Sequence, residues 1–137
     1  MPIDLTRESW KPGMPWEKAV DDINYIHELA KEMGGQERID RQHNGGRYTI
    51  RERIDKMVDP GSFMESGPMV GAAEFDAEGN LTGFTPGGYV MGLGEIDGRP
   101  VAIGGDDFTI SGGSPHNVHK NPQDFVQPLA IQYGIPY

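Results

Sequence analysis

The sequence predicts a mixed α/β fold in which helices come first and a β-rich part follows. Three observations predict it. Apolar residues recur at helical spacing between Trp16 and Met33. A T-x-x-E start at Thr49–Glu52 opens a second periodic run. Beyond Ser62 the spacing changes to alternation, and Asp97-Gly98 stands between two apolar runs, the strongest short-range hairpin signal.

The first helix is predicted over Pro15–Met33. Pro15 suits a first helical position, where a missing N–H costs nothing. Trp16, Ala19, Val20, Ile23, Ile26, Ala30 and Met33 share its apolar stripe. Gly34-Gly35 ends it, because glycine takes the left-handed cap conformation without steric cost. Residues Gln36 to Arg47 are polar and read as irregular. A second helix spans Thr49–Val58, with Thr49 and Glu52 as a capping box and Ile50, Ile54, Met57 and Val58 as its stripe. Asp59-Pro60-Gly61 stops it.

In the β-rich part, Asp76 to Asn80 reads as a turn. Tyr89, Met91 and Leu93 alternate with Val90, Gly92 and Gly94. After Asp97-Gly98, Val101-Ala102-Ile103 forms the return strand, and a further strand is expected around Phe108–Ile110, ending at Gly112-Gly113. The tail from His119 to Tyr133 reads as a third helix that starts at Asn121-Pro122. Phe125, Val126, Leu129, Ala130 and Tyr133 share a face of it, and Pro128 should kink or interrupt it. Ile135-Pro136-Tyr137 reads as the start of another strand. With that strand unpaired, Phe125, Val126, Leu129, Ile131 and Tyr133 are expected to leave an apolar patch and to drive association.

Composition excludes several function classes. Twelve Lys and Arg stand against twenty-one Asp and Glu, a formal charge of −9. That balance argues against nonspecific binding to nucleic acid or to an anionic membrane. The absence of cysteine removes disulfides, thiolate metal sites and a Cys nucleophile. The first eight residues lack the basic start and apolar run of a signal peptide, and no stretch approaches the ~18 apolar residues of a membrane span. A cytoplasmic location is expected.

Few residues point to chemistry by themselves. His27 lies within the first helix, and His43 sits among loop residues with hydrogen-bonding neighbours. His116 and His119 follow Asp106-Asp107, but no familiar zinc or calcium spacing is present, so no metal site is expected. Gly112-Gly113-Ser114, placed before a helix, is a plausible phosphate or thioester loop, because backbone N–H groups approach an anion closely where no Cβ intervenes.

Three ordered blocks carry a family resemblance. The first holds Gly35-Gln36, Gln42-His43, Gly45-Gly46, Thr49, Arg51-Glu52-Arg53-Ile54, Asp59-Pro60-Gly61-Ser62-Phe63 and Glu65. The second runs from Val90 to Val101, and the third is Asp107-Phe108-Thr109-Ile110-Ser111-Gly112-Gly113-Ser114. Together they resemble the opening of acyl-CoA carboxylase β subunits, the biotin-dependent carboxyltransferases, over Gly35–Tyr137.

The resemblance implies a partial crotonase-like ββα superhelix. Residues 1–61 would form an N-terminal helical region, and residues 62–137 the start of the carboxyltransferase domain. It implies transfer of a carboxyl group from carboxybiotin to the α-carbon of an acyl-CoA of the propionyl or acetyl type. Biotin is then a co-substrate on a carrier protein, with no covalently bound cofactor in this chain. Implied partners are acyl-CoA, a biotin carboxylase or biotin carboxyl carrier subunit, and further copies or a companion chain. Gly112, Gly113, Ser114 and Lys120 are the implied CoA contacts. The Gly-Gly pair that serves the thioester oxyanion in the family falls beyond Tyr137, so no catalytic residue is assigned here, and the segment alone is expected to be inactive. A biotin-dependent decarboxylase and a noncatalytic assembly module are the alternatives.

Overall fold

The computed structural model describes residues 3–114 and 123–137. Three helices lead the chain: α1 (Trp16–Lys31), α2 (Gln36–Asn44) and α3 (Ile50–Met57). Five strands follow: β1 (Met64–Glu65), β2 (Gly71–Phe75), β3 (Leu81–Pro86), β4 (Tyr89–Ile96) and β5 (Arg99–Asp106). A 3-10 turn at Ser111–Gly113 and helix α4 (Gln123–Tyr133) complete the described elements. Strands β1, β4 and β5 make one antiparallel sheet in that order, and β2 and β3 pair as a separate hairpin.

The central sheet is covered on both faces, and the alternation of β4 decides what covers which. Val90 points to the face where Ile54 of α3 and Val58, the residue that caps it, pack, with Ile50, Phe63 and Ile103 around them. Met91 points to the opposite face and packs with Ala102 and with Val126 and Ala130 of α4. A strand buried on both sides needs apolar or small residues throughout, and Tyr89–Gly94 supplies them. The hairpin turn is as expected: Asp97 and Gly98 both have positive φ, 51° and 70°. Asp59 explains why the stop after α3 matters to this turn. Its carboxylate accepts the N–H groups of Asp97 at 3.0 Å and Gly98 at 2.7 Å, while its own N–H donates to the Glu95 carbonyl.

The helices show where the reading from sequence holds and where it fails. The capping box of α3 is present in both halves: the Glu52 N–H donates to Thr49 Oγ1, and the Thr49 N–H donates to Glu52 Oε2 at 2.7 Å. The segment after Gly35, expected to be irregular, is instead α2. It buries no residue and is held by local polar pairs, Gln36 with Asp40 and Glu37 with Arg41, each one turn apart. In α1, Pro15 is the cap rather than the first helical residue. Its buried residues are Leu29 and Ala30; Trp16, at 69% exposure, and Val20 and Ile23 face solvent, because only the C-terminal half lies over the rest of the fold. The left-handed residue after α1 is Met33, with φ 52°.

Three expectations for the C-terminal half also need correcting. Phe108–Ile110 is not a strand, because the Asp107 carboxylate accepts both the N–H and the hydroxyl of Thr109 and bends the chain into a turn. Pro128 does not interrupt α4. Val126 is fully buried in the core, so the apolar surface of α4 reduces to Phe125, Ile131 and Tyr133. The expected start of that helix at Asn121-Pro122 lies outside the described residues. Ile135 packs on the core, and the Pro136 carbonyl accepts the N–H of Ala102 at the edge of β5, although these residues form no strand.

Candidate functional site

The turn after β5 carries the residues singled out from sequence. Its geometry is set by two side chains, Asp107 and Thr109, each 1% exposed. The Asp107 N–H donates to the Gly88 carbonyl, and its Oδ1 accepts the Thr109 N–H at 2.9 Å and the Thr109 hydroxyl at 2.6 Å. Thr109 Oγ1 in turn accepts the N–H of Gly34, 75 residues away, at 2.8 Å. Arg38 of α2 donates to the Thr109 carbonyl. The turn is thereby fastened to the α1–α2 junction. Gly34 has to be glycine for this reason rather than for capping: a Cβ there would lie 2.0 Å from the Thr109 carbonyl oxygen.

Beyond Thr109 the backbone coils tightly. Ser111, Gly112 and Gly113 have φ values of 48°, 66° and 77°. The N–H groups of Gly113 and Ser114 donate within the turn, to Ile110 and Ser111. Gly112, with open space around its α-carbon, and the exposed side chain of Ser114 are the parts turned outward. Gly113 is backed by the Phe108 ring. Lys120, His116 and His119 lie outside the described residues. Among the described residues no three His, Asp or Glu side chains are grouped to hold a metal ion.

A hollow lies on each side of the Asp107–Thr109 turn. One, of about 510 Å3 and broadly open, is bordered by Met33, Gly34, Arg38, Thr85 and Ser111. The other, of about 360 Å3, is bordered by Arg47, Tyr48, Arg53, Asp106 and Phe108. The sequence pattern does not bring the second group together: Arg47 and Tyr48 come from the α2–α3 connection, Arg53 from α3, and Asp106 and Phe108 from the end of β5 and the turn after it. The one local signal was Asp-x-Thr, a spacing at which a carboxylate caps the backbone two residues on.

Next to this hollow, Glu52 is held ionised. The Thr49 N–H, then His43, whose Nε2 lies 3.0 Å from both carboxylate oxygens, bring its carboxyl down from 4.5 to about 2. The sequence left His43 as a turn residue or hydrogen-bond partner, and it is a partner of Glu52 at the end of α2. Arg51 forks onto Glu65 at 2.8 and 2.9 Å and ties α3 to β1.

Helices on both faces of a small antiparallel sheet, with a Gly-Gly-Ser turn after its last strand, define a mixed α/β fold. The family is narrower than that. Residues 41–137 match the family described as the carboxyl transferase domain, and the chain belongs to it. It is 42% identical over 105 residues to the mitochondrial propionyl-CoA carboxylase beta chain of Mus musculus, which covers 75% of this chain and 19% of that one. It is 39% identical over 122 residues to methylmalonyl-CoA decarboxylase subunit alpha of Veillonella parvula, covering 85% and 23%. Among solved structures, transcarboxylase 12S with methylmalonyl-coenzyme A bound superposes with a TM-score of 0.74 at 29% identity, over 91% of this chain and 24% of that one. The chain thus spans about a fifth of the length of the curated relatives it matches. The α/β crotonase-like expectation holds over this span.

Proposed function

We propose that the chain supplies the acyl-CoA-facing N-terminal part of a biotin-dependent acyl-CoA carboxyltransferase. The observation that carries this reading is the family match over residues 41–137, which includes the Asp107–Ser114 turn. In such a reaction the α-carbon of the thioester gives up a proton and attacks the carboxyl carbon of carboxybiotin; the C–C bond forms as the N–C bond to biotin breaks, and in the overall balance the proton ends on the biotin nitrogen. Charge develops on the thioester oxygen and on the ureido oxygen, and preorganised backbone N–H groups stabilise both without a side-chain nucleophile. The role of this chain is to hold the CoA, with Gly112, Gly113, Ser114 and Lys120 as contacts. Biotin arrives on a carrier subunit, and no cofactor is held covalently.

Two further elements belong to the proposal. A cytoplasmic location is supported by the absence of cysteine, which suits a reducing compartment. Association with further copies or with a companion chain is supported by the exposure of Trp16 and of Ile131, at 81%. A biotin-dependent acyl-CoA decarboxylase is the second reading, favoured by the similarity to the Veillonella parvula subunit.

Calorimetric titration of the 137-residue chain with propionyl-CoA tests the reading, and saturable binding is expected. The absence of any heat or competition at millimolar CoA, together with a stable complex with a longer subunit, would favour a noncatalytic assembly module instead. With biotin carboxylase and a biotinylated carrier added, the 137-residue chain alone should produce no carboxylated thioester. Biotin-dependent turnover by it would overturn the placement of the oxyanion donors outside these residues.

A further inference from the structure

We propose that a hollow beneath the N-terminal strap, residues 3–14, binds a neutral single-ring aromatic molecule that carries a carbonyl oxygen. The hollow lies between the strap, the middle of α1 and the β2–β3 hairpin, and has a volume of about 160 Å3. Its residues from the strap and from α1 precede residue 41, where the family match begins, so the inference does not rest on the function proposed above.

Size and lining are the first reason. Pockets for drug-sized molecules enclose ~300–1,000 Å3, whereas an apolar cavity of ~150 Å3 accepts one benzene ring. Trp10, Tyr25 and Phe75 bring three rings to the border of the hollow, and Ile26 and the buried Leu81 bring aliphatic surface. Trp10 and Phe75 are 40% and 58% exposed, so both keep ring surface for a ligand to cover. Ring pairs in offset or edge-to-face contact gain beyond the area they bury, which favours an aromatic occupant over an aliphatic one.

The walls are held in place before any ligand arrives. The Asp4 N–H donates to the Tyr25 hydroxyl at 2.7 Å, and the Trp10 N–H donates to the Asp22 carboxylate. The Ser9 N–H donates to Asn80 Oδ1 at 3.2 Å, and the Leu81 N–H donates back to Ser9 Oγ at 2.9 Å. The strap is thereby fastened both to α1 and to the β2–β3 turn. A preformed site loses little binding free energy to ordering itself.

Arg7 decides the class of ligand. Its guanidinium carbon lies 4.8 Å from the centroid of the Tyr25 ring, and its Nη2 lies 3.1 Å from Asp22 Oδ1 and 3.9 Å from Asp21 Oδ2. Its Nε is enclosed, and among the described residues it meets no acceptor. An enclosed donor without an acceptor is unfavourable, and a ligand oxygen relieves it. The charge of Arg7 is already met by Asp22 and Asp21, and the chain carries −9. A neutral carbonyl therefore suits this nitrogen better than a carboxylate does.

The test uses benzamide as the probe, toluene as a ring without an acceptor, and benzoate as an anion of similar size. Binding is read on the Trp16→Phe variant of the 137-residue chain, which leaves Trp10 as its only tryptophan; Trp16 is 69% exposed and outside the hollow. Millimolar benzamide should change Trp10 fluorescence in a saturable way and shift the amides of Ser9, Gly79 and Leu81 in a 15N spectrum. Toluene and benzoate should each bind about tenfold more weakly, as loss of one hydrogen bond to a charged group does. Arg7→Met keeps much of the stem and removes the donor. It should bring benzamide down to the level of toluene and leave toluene unchanged. Phe75→Ala, at an exposed position, should weaken both severalfold, and a well-dispersed spectrum of each variant checks that it folds. No saturable change with millimolar benzamide, or shifts confined to other regions, would overturn the proposal. Toluene or benzoate binding as tightly as benzamide would overturn the assigned ligand class. Equal weakening of benzamide and toluene by Arg7→Met would show that Arg7 only supports the strap, and the proposal would fall.

Discussion

Thr109→Val isolates the fastening of the Gly-Gly-Ser turn to the helices. Valine keeps the shape of threonine, so no cavity opens; only the hydroxyl is lost. That hydroxyl accepts from Gly34 N–H at 2.8 Å and donates to Asp107 Oδ1 at 2.6 Å. Both Asp107 and Thr109 are 1% exposed, so water does not replace the lost hydroxyl, and Asp107 Oδ1 is left with the N–H of residue 109 alone. Gly34 is only partly buried, which softens the loss on that side. A buried group left unpaired costs about 1–3 kcal/mol; Asp107 Oδ1 keeps the N–H of residue 109 as a partner and the Gly34 side is softened, so the destabilisation is about 1–3 kcal/mol. With the slope usual for a small domain, the urea midpoint should fall by roughly 0.5–1.5 M. Thr109→Ser keeps the hydroxyl and should recover most of that fall. Thr82→Val, on an exposed position of β3, should leave the midpoint where it is. A midpoint for Thr109→Val equal to that of Thr82→Val would refute the claim that this hydroxyl joins the turn to the helices.

Gly34→Ala should be more damaging than Thr109→Val, since the new Cβ meets backbone atoms of Thr109 at 2.0 and 2.6 Å and no side chain can move aside to relieve it; an unchanged melting curve would show that the α1–α2 junction does not approach the turn. Thr49→Ala removes a buried cap and should cost ~1 kcal/mol, read as a lower thermal or urea midpoint. Glu52 has a carboxyl lowered from 4.5 to about 2, so its contribution to stability is complete above pH 4.5 and fades as the pH falls toward 2. The difference in urea midpoint between the parent chain and Glu52→Gln should therefore be largest near neutral pH and shrink through that acid window; a pH-independent difference would show that ionisation of Glu52 plays no part.

What was legible in the sequence was local. The capping box needs only Thr49 and Glu52 three residues apart, and the hairpin needs only two residues that tolerate positive φ between apolar runs. Both appear where the pattern puts them. Helix α2 escaped notice because its support is a set of i, i+4 polar pairs with a single partly buried apolar residue, Ile39, so an apolar period had nothing to report. The strand expected at Phe108–Ile110 failed for a different reason. Phe-Thr-Ile favours extended structure by side-chain type, but the Asp107 carboxylate, one residue upstream, captures the Thr109 N–H and turns the backbone. The apolar period of α1 gives the stripe but not its extent of burial, since only contact with the rest of the fold determines which part of a periodic face is covered.

The candidate site was legible as a string and illegible as a surface. Asp107-Phe108-Thr109 and Gly112-Gly113-Ser114 are contiguous in sequence, yet the fold gives their members opposite tasks. Asp107 and Thr109 are enclosed, and the Asp107 N–H and Oδ1 and the Thr109 N–H, hydroxyl and carbonyl are engaged with each other, with Gly88, with Gly34 and with Arg38. Phe108, Gly112 and Ser114 face outward from the same turn. A ligand at this turn therefore meets an aromatic ring, an unhindered backbone and a hydroxyl, all held in place by residues it never touches. The recruitment of Arg47, Tyr48 and Arg53 to the other wall of the hollow follows from the same fastening, because α2 is tied to Thr109 through Arg38 and α3 is packed on β4 through Ile54. The distance between those positions along the chain hides the arrangement, and the two anchors create it.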